Sequence, residues 1–167
     1  MSEKLLRIDH EKCTGCRLCE LVCAVKHHQV SNPTKSRIRV IKWEWEGVYV
    51  PMACQQCEDA PCQKACPAKA IAREPAFDRV TVDYDKCIGC RTCVAVCPFG
   101  AMHFVPSERK VIKCDLCDGE PQCVRFCEVH AVEFVPPGDV GLQKGRGAAR
   151  RLVDAERKGA ELLTGQR

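Results

Sequence analysis

The stretch Val82-Asp83-Tyr84-Asp85-Lys86-Cys87-Ile88-Gly89-Cys90-Arg91-Thr92-Cys93-Val94-Ala95-Val96-Cys97-Pro98 decides how this chain is read. Its cysteines are separated by two, two and three residues, and a proline follows the last. Two-residue gaps let one tight loop aim three thiolates at three corners of a metal-sulfur cubane, with backbone N–H groups turned toward the sulfurs. Gly89 stands where such a loop needs unhindered backbone. The last gap suits a single helical turn, which carries Cys97 away from the other three.

Working outward, the pattern recurs. Ile8-Asp9-His10-Glu11-Lys12-Cys13-Thr14-Gly15-Cys16-Arg17-Leu18-Cys19 matches Val82 to Cys93 nearly position for position, and Cys23 completes the run without the proline. Cys54-Gln55-Gln56-Cys57 with Pro61, Cys62 and Cys66 returns as Cys114-Asp115-Leu116-Cys117 with Pro121, Cys123 and Cys127, one gap being widened in each. The order is A-B-A-B, a duplicated repeat. Three runs are followed by an echo, Ala70-Ile71, Ala101-Met102 and Ala131-Val132, where a short turn re-enters an apolar strand. Leu5-Leu6-Arg7-Ile8-Asp9 and Arg79-Val80-Thr81-Val82-Asp83 read as short strands leading into a cysteine loop. The expected fold class is α+β: duplicated units in two double-cluster halves, rich in loops, with a C-terminal helix.

Sixteen cysteines against only 5% aromatic residues leave an ordinary core thin for 167 residues, so something else must fill the interior. Residues Met1 to Arg7 show neither a basic region followed by an apolar one nor a twin-arginine pair. A cytoplasmic location is therefore expected, and in a reducing compartment metal ligation is favoured over disulfides. Apolar stretches such as Val48-Tyr49-Val50 fall far short of the roughly 18 to 20 residues of a membrane helix, so no membrane span is expected.

Structural zinc is the competing metal. Zinc knuckles usually come as two C-x-x-C pairs well apart, whereas here four cysteines fall within 11 to 14 residues, four times. The cysteines divide evenly into complete sets, which points to four 4Fe-4S clusters ligated by Cys13, Cys16, Cys19, Cys23, Cys54, Cys57, Cys62, Cys66, Cys87, Cys90, Cys93, Cys97, Cys114, Cys117, Cys123 and Cys127. The formal charge of +4 counts neutral thiols. Ligation would add about −16 from thiolates and about +8 from four oxidised cores, bringing the loaded protein to roughly −4. The basic residues then compensate buried anionic clusters, and with no aromatic stacking platform beside them a nucleic-acid partner is not expected.

Other groups are weaker candidates. His10, His27, His28, His103 and His130 read as solvent-exposed or hydrogen-bonding rather than ligating, because all cluster positions are filled by cysteine. There is no nucleophile motif, phosphate loop or dinucleotide fingerprint, so the chain is expected to be no enzyme by itself.

Two segments stand outside the repeat. Within residues 24–53, Arg37-Ile38-Arg39-Val40-Ile41 alternates and Tyr49-Val50-Pro51-Met52 follows a turn at Glu46-Gly47, which predicts a hairpin at about 37–52. Its Trp43 and Trp45 are expected to pack on the cysteine units, with a partner-facing role as the alternative. After Pro136-Pro137-Gly138 the cysteines stop, and Ala149, Leu152, Val153, Glu156, Ala160 and Leu163 share one helical face, with Arg150, Arg151, Arg157 and Lys158 mostly elsewhere. This predicts residues 1–137 as the four-cluster domain and 138–167 as a linker and amphipathic docking helix, seated on its own domain or on another chain.

The spacing ending in Cys97-Pro98 is that of bacterial ferredoxins, in which the fourth cysteine ligates the neighbouring cluster. The four runs in this order, with Gln55-Gln56-Cys57-Glu58-Asp59-Ala60-Pro61-Cys62 in the second and Lys113-Cys114-Asp115-Leu116-Cys117 opening the fourth, resemble four-cluster ferredoxin subunits of dimethyl sulfoxide reductase-type enzymes. The resemblance covers roughly residues 4 to 137. It implies that the outer runs pair and the inner runs pair. Carried onto this chain, clusters sit on Cys13, Cys16, Cys19 with Cys127; on Cys114, Cys117, Cys123 with Cys23; on Cys54, Cys57, Cys62 with Cys97; and on Cys87, Cys90, Cys93 with Cys66.

Compactness and the helical tail make the chain most similar to the small electron-transfer subunit of bacterial tungsten-containing aldehyde oxidoreductases. The resemblance implies a large pterin-containing catalytic partner, a flavin or other redox subunit, and further copies of the chain itself if the tail docks head to tail into a filament. A subunit of a formate dehydrogenase, hydrogenase or carbon monoxide dehydrogenase, a free polyferredoxin, and a zinc-stabilised interaction module are the competing readings.

Overall fold

A computed structural model describes residues 4–141 together with 145, 146, 148–150, 152, 153 and 155. Within these residues the fold mixes short helices with short strands that pair two by two. Strand β1 (Leu5–Ile8) pairs antiparallel with β8 (Val132–Val135), joining the two ends of the cysteine-bearing region. Strands β2 (Arg39–Trp43) and β3 (Val48–Met52) form a hairpin. Strands β4 (Ile71–Glu74) and β5 (Arg79–Val82) lead from the second cysteine run to the third, and β6 (Met102–Val105) and β7 (Lys110–Lys113) lead from the third to the fourth.

Helices α1 (Leu18–His28), α2 (Pro61–Lys64), α3 (Thr92–Ala95) and α4 (Gln122–Arg125) carry the third cysteine of each run. Three of them are the single turns that a three-residue gap implies; α1 runs on for 11 residues. The reason is local. Pro67 and Pro98 follow Cys66 and Cys97, and proline has no N–H with which to continue a helix. Cys23 is followed by Ala24-Val25-Lys26, which continues until Gln29 caps the helix in a left-handed conformation, φ 53°.

Helix α1 packs on α4, and α2 on α3. The interior is correspondingly divided into two small cores. One gathers Leu6, Ile38, Val40, Leu116 and Val132 around Cys19, Cys23, Cys114 and Cys123. The other gathers Ile71, Val80, Met102 and Val111 around Cys62 and Cys93. Both cores are short aliphatic side chains and sulfur, and among the described residues no large aromatic is fully buried.

Trp43 and Trp45 do not pack on the cysteine units. Trp45 is fully exposed and Trp43 is 47% exposed. The hairpin alternates: Val40 and its partner Pro51 turn inward, so Ile41, Trp43 and Val48 are left on the outer face. Trp45 lies in the 3-10 turn at the tip, Glu44–Glu46. In the tail, residues 137–141 and the described positions out to 155 are helical, and Ala149, Leu152 and Val153 are exposed. Arg151, Glu156, Arg157, Lys158, Ala160 and Leu163 of the expected docking helix lie outside the described residues.

Candidate metal centres

The cysteines are brought together in fours. One cavity is lined by Cys54, Cys57, Cys62 and Cys97, a second by Cys66, Cys87, Cys90 and Cys93, and a third by Cys13, Cys16, Cys19 and Cys127. The remaining four meet at the α1–α4 contact, where Cys23, Cys114 and Cys117 all lie near enough to Cys123 for their charge to act on its thiol. In every group, the fourth cysteine of one run joins the first three of another.

Backbone geometry prepares these sulfurs for an anionic state. The N–H of Ala70 donates to Cys66 Sγ (3.3 Å), that of Ala101 to Cys97 Sγ (3.4 Å), and that of Ala131 to Cys127 Sγ (3.2 Å). In each case the residue just before the alanine is left-handed: Lys69, Gly100 and His130, with φ 49°, 58° and 52°. The turn aims the alanine N–H back at the sulfur four positions earlier, and the buried alanine then opens an apolar strand. This was legible in the sequence as the Ala-Ile, Ala-Met and Ala-Val echo. Cys23 lacks that turn because α1 continues, and its Sγ instead receives the Arg37 N–H at 3.3 Å.

Two glycines admit close neighbours. A Cβ on Gly89 (φ +69°) would lie 2.4 Å from the Arg109 carbonyl oxygen, and one on Gly15 (φ +71°) would lie 2.6 Å from the Tyr49 ring.

Burial is the main cause of the thiol shifts. It pushes Cys19 and Cys114 up to about 12 and Cys93 up to about 11, and raises Cys62, Cys117 and Cys123 as well. As bare thiols these groups stay neutral at pH 7; only bound metal makes thiolates of them. The cysteines that lie within electrostatic reach of one another across groups show the order in which the groups adjoin. The charge of Cys19 acts on Cys123, that of Cys54 on Cys114, and that of Cys62 on Cys93. The group of Cys13, Cys16, Cys19 and Cys127 therefore stands at one end and that of Cys66, Cys87, Cys90 and Cys93 at the other, and these contain the exposed cysteines, Cys16 and Cys90. The Cys90 thiol is lowered instead, by the Thr92 hydroxyl at 3.5 Å.

Of the histidines, His10 and His130 are exposed. His28 meets Glu108 at 3.4 Å. His103 is half-buried, with Nε2 enclosed and unpartnered, and burial holds it down to about 4. His27 Nε2 lies 3.5 Å from both Cys117 Sγ and Asp115 Oδ1, and Asp115 pairs with Arg37. Sequence reasoning missed this contact, because α1 was not expected to extend to His27. It also missed Lys113, whose ammonium is buried beside Gln56 and Cys114; its place at the end of β7 carries no pattern that separates a buried lysine from a solvated one.

A sequence family described as 4Fe-4S dicluster domain matches residues 45–136, and a 4Fe-4S binding domain matches residues 6–23. The chain belongs to the 4Fe-4S dicluster domain family. It is 47% identical over 116 residues to YsaA of Escherichia coli (strain K12), covering 64% of this chain and 71% of that protein. It is 42% identical over 107 residues to the polyferredoxin-like subunit of aliphatic sulfonate oxidoreductase of Pyrococcus furiosus (64% and 61%). It is 38% identical over 122 residues to the B subunit of anaerobic dimethyl sulfoxide reductase of Escherichia coli (strain K12) (64% and 58%). The chain spans about 60% of the length of these two subunits. Among solved structures, a component of the active-site complex BamBC of benzoyl coenzyme A reductase superposes with a TM-score of 0.51 at 26% identity, over 94% of this chain and 98% of that one. The protein is thus an electron-transfer iron-sulfur chain related to subunits of larger oxidoreductases. Among the described residues no helix is long and apolar enough to cross a membrane.

Proposed function

We propose that the chain carries four 4Fe-4S clusters and conducts electrons along them between a pterin-containing catalytic subunit and a second redox subunit. The observation that carries this reading is the division of sixteen cysteines into four groups of four, standing in one line. The ligand sets are Cys13, Cys16, Cys19 and Cys127; Cys23, Cys114, Cys117 and Cys123; Cys54, Cys57, Cys62 and Cys97; and Cys66, Cys87, Cys90 and Cys93. Each cluster, once bound, takes up and gives back a single electron. The chain's own part is to hold the sulfurs, supply N–H groups to the fourth cysteine of each run, and bury Cys23, Cys114 and Cys123 between α1 and α4. Exposed Cys16 and Cys90 mark the ends at which partners approach.

At the finest level the proposed partner is a tungsten or molybdenum aldehyde oxidoreductase subunit in the cytoplasm, with a flavin or other redox subunit beyond. Support comes from relatives that are oxidoreductase subunits and from a like-folded chain in a reductase active-site complex. Head-to-tail filaments joined by the C-terminal helix belong to the same reading, supported by the exposure of Leu152 and Val153.

The test is anaerobic purification of the tagged chain from its native host. About sixteen iron and sixteen acid-labile sulfide per chain, with a co-purifying pterin subunit, is the expected result. Zinc without sulfide would remove the cluster reading, and a free monomer at native abundance would remove the subunit reading.

A further inference from the structure

Lys113 is 3% exposed, which is rare for a lysine. Its Nζ is 2.5 Å from the Val80 carbonyl oxygen, 3.1 Å from the Cys114 carbonyl oxygen and 3.1 Å from Gln56 Oε1. Three acceptors match the three N–H bonds of an ammonium, so the group is a satisfied donor. Its charge is another matter. The other buried cations have carboxylate partners, Arg37 with Asp115 and Arg79 with Glu74 and Asp118. Among the described residues no carboxylate pairs with Lys113; its partners are neutral oxygens. A buried charge without a counter-charge is costly, so an anionic group close by is what would make this lysine tolerable.

Its position says which group. Lys113 lines the cavity of Cys54, Cys57, Cys62 and Cys97, and is bonded in sequence to Cys114 of the adjoining set. Gln56 spans the same junction: Oε1 accepts from Val80 N–H (2.8 Å) and from Lys113, while Nε2 donates to the Cys114 carbonyl (2.9 Å). The lysine's field reaches the sulfurs on both sides. Burial raises the Cys62 and Cys114 thiols, and the Lys113 charge opposes that rise in each.

We infer that Lys113, held by Gln56, is the positioning residue that sets the reduction potentials of the two middle clusters, its fixed positive charge favouring their reduced forms. The inference rests on the four-cluster reading above. Adding an electron makes a cluster more negative, so a nearby cation raises the potential, and it does so most where water is excluded. The middle of the line is thereby kept from becoming a barrier between the two exposed ends.

The test is an EPR-monitored redox titration of anaerobically purified holoprotein, wild type beside Lys113→Met and Lys113→Arg. About sixteen iron in the wild type establishes the four-cluster reading independently of the outcome for Lys113. Lys113→Met is expected to shift two of the four potentials to more negative values and leave the other two in place, and Lys113→Arg is expected to hold all four near wild type. Four unmoved potentials in iron-replete Lys113→Met overturn the inference, and so does an equal shift of all four. If Lys113→Met loses iron, recovery of iron and of wild-type potentials in Lys113→Arg supports the charge, and failure to recover overturns it.

Discussion

At the residue scale, what matters most is where backbone and charge are forced. Gly89→Ala places a Cβ 2.4 Å from the Arg109 carbonyl oxygen at φ +69°, and the backbone of the β6–β7 turn cannot swing aside as a side chain can. We expect a loss of about 2–3 kcal/mol and iron missing from the set of Cys66, Cys87, Cys90 and Cys93. Gly15→Ala meets the Tyr49 ring instead, so Gly15→Ala combined with Tyr49→Ala should relieve the clash and leave the cost of a non-glycine residue at φ +71°. Thermal melts with iron counts on the three variants separate the cases. His103 makes a pH prediction. Burial, aided by Arg39, holds it neutral down to about 4, whereas the unfolded chain takes a proton near 6.5. Between those values the unfolded state binds the extra proton, so stability falls as pH falls through the window, by at most about 1.4 kcal/mol per pH unit. His103→Gln should flatten the acid side of a plot of denaturation midpoint against pH between 6.5 and 4, and an unchanged slope would show that other groups carry the acid sensitivity.

At the scale of elements, the hairpin does two separate jobs. Its inner side pins α1: the Val40 N–H donates to Glu20 Oε1 at 2.6 Å, and Arg17 completes the buried carboxylate from 2.7 Å. Glu20→Ala strips a buried N–H of its acceptor and should cost about 2–3 kcal/mol, read by denaturant titration of the holoprotein. Its outer side supports nothing among the described residues, so Trp45→Ser should change the stability of the isolated protein by no more than a surface substitution does, about 0.5 kcal/mol, read as an unmoved thermal melt. The same element shows what could be read in advance. Alternation gave away both strands to within two residues, because a half-buried ribbon imposes period two. The fate of the tryptophans was misjudged because apolar character says that a side chain prefers cover, and only the packing of Val40 and Pro51 decides which face obtains it. Helix α1 was underestimated for a related reason: spacing sets where a helix must exist, while its end depends on whether a proline or a left-handed residue arrives.

At the scale of the whole molecule, the cysteine spacing was legible because covalent distance governs it, whereas the line of four sets arises from contacts between runs far apart in sequence. That line makes a prediction which composition alone does not. Cys87→Ser removes a ligand from an end set, Cys117→Ser one from a middle set, and each should lower the iron count from about sixteen to about twelve. Their effects on conduction should differ. With the end set damaged, the remaining three sets stay contiguous through the neighbours Cys19 and Cys123, and Cys114 and Cys54. With Cys117 changed, the set at Cys16 is cut off from the other two. Reduction by a one-electron donor confined to one end, followed by rapid-freeze EPR, should fill three clusters in one fast phase in Cys87→Ser when the donor sits at Cys16. In Cys117→Ser the same donor should fill one cluster fast and the others only slowly. Equal fast phases in the two variants would mean that electrons cross between the halves by another route, and that the line of cysteine sets is no guide to the path.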